Sequence, residues 1–183
     1  MAIKTFILEN STTKKKRQAD IQNAVREFLK EPKAKVVYDE NGGMPIVENT
    51  EKKHYISIAR ANSVMLVVLC DRPVGIDGEY LPRVLSPENK VDYLVLAERF
   101  FTDEEIEFIR DAEKSAEAET FVKIWTRKEA YVKCIGKTIA EFPSFSVVDG
   151  SRLLSKVGSV PLRKFSIKFP ECEDYLFVIA GLE

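Results

Sequence analysis

Residues 125–137, W-T-R-K-E-A-Y-V-K-C-I-G-K, set the strongest condition on how this chain folds. At roughly 100° per residue around a helix axis, Phe121, Ile124, Trp125, Tyr131, Val132 and Ile135 form one broad apolar arc. Lys128 falls near the middle of that arc, with Glu129 and Lys133 along its edge. An apolar stripe is buried against other elements, so a charge on it needs a route to water or a partner. The fold must therefore give these three side chains compensating neighbours.

Length and composition leave few classes open. With 183 residues, 45% of them hydrophobic, the chain can bury the core of one large domain or of two small halves packed as a unit. Lys plus Arg number 28 against 29 Asp plus Glu, a net charge of −1, without the basic excess of a general nucleic-acid or membrane binder. Neither partner is expected. Cys70, Cys134 and Cys172 are scattered with no CxxC pair, which reads as reduced thiols in a cytoplasmic protein. The first ten residues lack the pattern of a signal peptide, and the longest apolar run, S-V-M-L-V-V-L-C, is too short for a bilayer. The single histidine, His54, excludes multi-histidine metal sites.

Periodicity divides the chain into mixed elements. A-I-K-T-F-I-L-E reads as an opening strand, and residues 15–30 place Ile21, Ala24, Val25, Phe28 and Leu29 at helical spacing. Asn41-Gly42-Gly43 and Pro45 signal a turn. H-Y-I-S-I-A-R-A and S-V-M-L-V-V-L-C-D are strands joined at Ala61-Asn62-Ser63, and R-P-V-G-I-D-G-E-Y-L is a third. Helices follow over 91–101, from the capping box at Thr102–Glu105, and over 120–135 with Gly136 as the stop. K-S-A-E-A-E reads as a polar loop or helix end, and F-S-I-K-F and D-Y-L-F-V-I-A-G as closing strands. The class is α+β, and the elements allow two similar halves, an N-terminal one over 1–85 and a C-terminal one over 86–183, that share an interface.

Chemistry concentrates on two segments. Asp77 and Glu79, two apart on an extended strand, face the same way. Close carboxylates repel unless solvent, basic groups or a cation compensate; a strand showing its polar face to water is the simpler reading. Glu129 adds a third acid, and Lys128 and Lys133 lie within a turn of it. Carboxylates with waters suit Mg²⁺, and adjacent lysines suit the phosphates such an ion serves. Packing of the lysine stems against the core with the amines in water is the competing account.

V-G-I-D-G-E, R-F-F-T-D-E-E and W-T-R-K-E-A-Y-V-K, in that order and approximate spacing, resemble the three-motif signature of the 4′-phosphopantetheinyl transferases. The resemblance is to their larger, single-chain, surfactin-synthetase-activating class. It implies a pseudo-dimer of two similar α+β halves that transfers the phosphopantetheine arm of coenzyme A to a serine of an acyl or peptidyl carrier protein, releasing adenosine 3′,5′-bisphosphate. It implies further that Asp77, Glu79 and Glu129 hold Mg²⁺, that Glu129 deprotonates the serine, and that Lys133 and Lys128 meet phosphate. Glu105 matches the acid of the middle motif but also completes the capping box. Trp125 reads as core. A monomer is expected, since one chain supplies both sides of the cleft.

The resemblance weakens upstream. Where the class has N-[LIV]-S-H-[ST], whose Ser and His bind the nucleotide's 3′-phosphate, this chain has Ala59 and Arg60. Arg60 is a competent phosphate ligand or a solvated hairpin residue. Met44 stands where G-K-P has its lysine, with Lys52 and Lys53 nearby, and Gly78 separates the two acids. A non-catalytic relative that binds a carrier or nucleotide, and a metal-dependent phosphoryl hydrolase, are the alternatives.

Overall fold

The computed structural model describes residues 3–38 and 44–182; the Asn41-Gly42-Gly43 turn lies outside them. In chain order the main elements are β1 (Ile3–Glu9), α1 (Lys14–Leu29), β2 (Lys35–Val37), β3 (Ile46–Glu48), β4 (Tyr55–Ala61), β5 (Val64–Cys70) and β6 (Gly75–Tyr80). They continue as α2 (Leu81–Val84), α3 (Tyr93–Phe100), α4 (Asp103–Arg110), α5 (Glu117–Cys134), β7 (Val148–Asp149), β8 (Arg152–Leu153), β9 (Lys156–Val157), β10 (Val160–Lys164) and β11 (Tyr175–Ala180). The class is α+β, as expected.

Two antiparallel sheets carry the fold, in the orders β1-β5-β4-β3-β2 and β6-β11-β10-β9. Each half follows one chain path: an opening strand, a long helix among the connections, then strands that return until the last pairs with the first. Apolar runs mark the strands buried on both faces. In β5, Leu66, Val68 and Cys70 meet Ile76, Tyr175, Phe177 and Ile179 between the sheets. Met65, Val67 and Leu69 pack with Ile21 and Val25 of α1. In β11, Leu176, Val178 and Ala180 turn the other way, toward Ile124, Ala130 and Val132 of α5. A fully buried aliphatic or aromatic side chain contributes about 1.5–3 kcal/mol, so these two strands anchor four layers, helix on sheet on sheet on helix.

β6 hydrogen-bonds to β11, so residues 71–74 lead from one sheet to the other. K-S-A-E-A-E is a helix end, a 3₁₀ turn (Lys114–Ala116) that runs into α5. One difference from the sequence expectation has a physical cause. F-S-I-K-F is not a strand: the paired segment is β10 just before it, and Phe165, Ile167 and Phe169 instead pack onto the core between the sheets.

α5 lies unusually close to β6. A side chain at Gly75 would overlap the Ala130 carbonyl oxygen and stand 2.6 Å from the Cys134 amide nitrogen. Only the missing Cβ lets this helix descend onto the strand. The helix then stops as expected: Gly136 has φ +70°, and Lys137 N–H donates to the Val132 carbonyl at 2.8 Å. Gly75→Ala should destabilise the fold by about 1–3 kcal/mol or more, measured by urea unfolding, whereas an unchanged midpoint would mean that α5 can lift at no cost.

Candidate active site

Close packing of α5 on β6 creates the site. Gly75, Asp77 and Glu79 share the face of β6 that meets this helix. Lys133 Nζ donates to Asp77 Oδ1 at 2.7 Å and to the Ile76 carbonyl at 3.2 Å, and stands 3.7 Å from Glu129 Oε2. Arg83, one turn along on α2, donates to Glu79 at 2.7 Å. A cleft of about 550 Å³ exposes Asp77, Glu79, Glu129 and Lys133 on one wall and Arg60 on the other.

The acids interact through space. Burial, the largest cause, holds the carboxyls of Asp77, Glu79 and Glu129 above their ordinary range. Lys133 opposes this for all three, and Arg83 for Glu79. Asp77 raises both glutamates, and Glu79 raises Glu129. Clustered hard oxygens of this kind fit a divalent cation by donor chemistry. In their observed positions no three acids, histidines or cysteines among the described residues gather tightly enough to hold a metal. The Lys133 ammonium takes Asp77 and Glu129 instead.

Lys128 does not belong to this cleft, which corrects its assignment as a phosphate contact. Its ammonium donates to both Glu105 carboxylate oxygens at 2.7 Å and to the Phe145 carbonyl at 2.5 Å. Neither side chain has any exposure. The ammonium also lies 4.3 Å from the Phe145 ring centroid and 5.7 Å from those of Phe101 and Phe142. Burial pulls the Lys128 pKa down, and Glu105 opposes the shift. The capping box is present, so Glu105 also accepts the Thr102 amide at 3.0 Å, and it accepts the Val147 amide at 2.8 Å. Both readings of Glu105 thus reduce to one structural job: it ties α4, α5 and residues 145–147 together.

The far wall holds residues that sequence reasoning missed. Lys14, Arg17 and Gln18 of α1 and Tyr38 line the cleft with Arg60 and Met44. The only sequence signal for Lys14 and Arg17 was the K-K-K-R run at the helix start. The Tyr38 hydroxyl is buried with no hydrogen-bond partner among the described residues. Arg60 is exposed and faces the cleft, whereas Ala59 points into the core between the sheets. Lys53 sits over the Tyr55 ring at 4.7 Å, and neither it nor Lys52 lines the cleft to replace the lysine absent at Met44. Where Gly78 leaves out a side chain, the Phe177 ring fills the space. Trp125 packs among Phe100, Phe101, Phe121 and Phe142, as expected of a core residue, and shows one edge to the cleft.

Residues 73–177, which carry the acidic wall, α5 and the buried pair, match the family described as the 4′-phosphopantetheinyl transferase superfamily. The chain belongs to this superfamily. It is 27% identical over 144 residues to the 4′-phosphopantetheinyl transferase psf-1 of Bacillus pumilus, covering 78% of this chain and 56% of that one. To the transferase gsp of Aneurinibacillus migulanus it is 25% identical over 149 residues, covering 71% and 58%. To HetI of Nostoc sp. (strain PCC 7120) it is 34% identical over 86 residues, covering 47% and 34%. The chain thus spans about half the length of the curated relatives it matches. Arg60, Tyr38, Lys14 and Arg17 fall outside the superfamily match, on the wall where the motifs of the transferase class are altered.

Two outcomes test this geometry. Lys128→Met should cost about 3–5 kcal/mol by leaving Glu105 buried and unpaired, and adding Glu105→Gln should recover part of that; strictly additive losses in urea would contradict the pairing. Glu129 is the opposite case. Its raised pKa means its stabilising contribution is full below the unfolded value and lost as pH rises through the folded one. With chelator present, Glu129→Gln should therefore gain stability relative to wild type as pH rises above the ordinary glutamate range, followed by unfolding at each pH; a gap that does not widen would refute it.

Proposed function

We propose that the chain transfers the 4′-phosphopantetheine arm of coenzyme A to a serine of an acyl or peptidyl carrier protein, releasing adenosine 3′,5′-bisphosphate. The observation that carries this reading is one cleft with three carboxylates and Lys133 on one wall and Arg60, Arg17 and Lys14 on the other. The acids would hold Mg²⁺ and the basic wall would hold the nucleotide's phosphates. A bound Mg²⁺ supplies charge neutralisation at the diphosphate.

The protein's own groups do the rest. Glu129 accepts the proton of the incoming serine, directly or through water; burial holds its carboxyl above the usual carboxylate range, which suits it to a base. Lys133 neutralises the departing bisphosphate, and Arg60 takes the place of the altered Ser-His contact. Catalysis is then mainly positioning and charge neutralisation. The segment from 81 to 101, where Leu85, Val91 and Val95 are exposed apolar side chains, is our candidate carrier contact. The halves over 1–85 and 86–183 form one unit, and a monomer suffices because one chain lines both walls. We place the protein in the cytoplasm, consistent with three free cysteines; no described helix is long and apolar enough to cross a membrane. The resemblance to psf-1 and gsp supports the surfactin-synthetase-activating class.

The test incubates the protein with coenzyme A, Mg²⁺ and several apo carrier proteins and follows carrier mass. Gain of one phosphopantetheine, abolished by Asp77→Asn or Glu129→Gln, is expected. Arg60→Ala should raise KM for coenzyme A about tenfold with kcat nearly unchanged, as for lost uniform binding. Consumption of coenzyme A without an acceptor would favour the hydrolase, and binding without turnover the non-catalytic relative.

A further inference from the structure

We infer that Ser57 is a positioning residue: through one hydrogen bond to the Ile76 amide it fixes how far Asp77 and Lys133 stand from the basic wall. This inference rests on the transferase reading. Ser57, Ala59 and Ala61 share one face of β4, and all three are buried, Ser57 at 2% exposure. The two alanines pack into the core between the sheets, and side chains this small let β4 run close to β6. Ser57 is the polar member of that face. Its Oγ accepts the Ile76 amide at 2.9 Å, and the residue lines the cleft. It lies outside the superfamily match.

The bond matters because of where Ile76 stands. β6 is the edge strand of its sheet, hydrogen-bonded to β11 on one side. On an antiparallel strand a residue's N–H and C=O point to the same side, so Ile76 presents both from the edge that β11 leaves open. Ser57 takes the amide, and Lys133 Nζ donates to the carbonyl at 3.2 Å. The same ammonium donates to Asp77, the next residue, at 2.7 Å. β4 also carries Arg60, on the opposite wall of the cleft. One strand thus bears both the basic group and the tie that sets its distance from the acids. Without Ser57 a buried amide loses its acceptor, and Lys133 alone holds the edge at Ile76. A second side-chain hydrogen bond crosses between the sheets, Ser63 Oγ with the Tyr175 hydroxyl at 3.3 Å. Neither of those residues lines the cleft.

The test compares wild type with Ser57→Ala, Ser57→Cys, Ser57→Thr and Ser63→Ala. It follows exchange of the Ile76 amide by nuclear magnetic resonance, and kcat and KM for coenzyme A in transfer to apo carrier proteins, with thermal melting to verify folding. Ser57→Ala should speed Ile76 exchange about tenfold, the worth of one hydrogen bond. It should lower kcat about ten- to a hundredfold, as for a misplaced reacting group, with KM within about twofold of wild type. Ser57→Cys keeps the volume but accepts weakly and should follow the alanine variant. Ser57→Thr keeps the oxygen and should restore both readings. Ser63→Ala removes the other bond between the sheets and should leave kcat and Ile76 exchange unchanged. Wild-type kcat in both Ser57→Ala and Ser57→Cys, or an equal loss in Ser63→Ala, would overturn the positioning role while the transferase reading stands. Absence of transfer by the wild type to any carrier would overturn the transferase reading and the positioning role with it.

Discussion

One ammonium and one carboxylate, both sealed from solvent, decide how α5 sits. Lys128 and Glu105 join at 2.7 Å inside a wall of phenylalanines, and Glu105 also holds the start of α4 and the backbone at Val147. With Lys128 fixed inward, Glu129 is about 100° further round the helix and Lys133 one turn beyond it. Both then face β6, whose Gly75 lets the helix approach closely. The charge that looked misplaced on an apolar arc is the bolt that aims the charged edge. Such a pair is a poor source of net stability, but removing either half is expensive, which makes it a device for orientation.

The cleft carries the opposite electrostatic design. Three carboxylates share one partly buried wall; burial raises all three pKa values, Asp77 adds to the rise of both glutamates, and Lys133 and Arg83 offset part of it. A fold under selection for stability alone would not gather them. Sites that bind polyanions through a cation commonly accept that cost, and here it stands opposite Arg60, Arg17 and Lys14. The charge pattern across the cleft matches a ligand with phosphate at more than one point along its length.

Much of this was legible in the sequence, for identifiable reasons. The strands of β4, β5 and β11 declared themselves by apolar runs, the capping box at Thr102 by its spacing, and the end of α5 by Gly136. The acids at 77, 79 and 129 line one cleft because strand period and helix period each turn them toward the same gap. Lys128 was misread because a lysine on a core face and a lysine at a phosphate look alike until its partner, Glu105, is placed 23 residues away in sequence. F-S-I-K-F alternates like a strand yet spends its apolar side chains on the core between the sheets. Lys14, Arg17 and Tyr38 were missed because nothing local says which side of α1, or which end of β2, closes the cleft. Only the packing of one sheet on the other does that.

The most direct test of the central claim, that α5 and β6 build one cation-and-phosphate site, is a crystal structure with Mn²⁺ and coenzyme A bound. The account predicts an anomalous peak in contact with oxygens of Asp77, Glu79 and Glu129, with the diphosphate against it and Lys133 turned onto phosphate. A peak elsewhere, or coenzyme A bound with Lys133 still on Asp77, would contradict it.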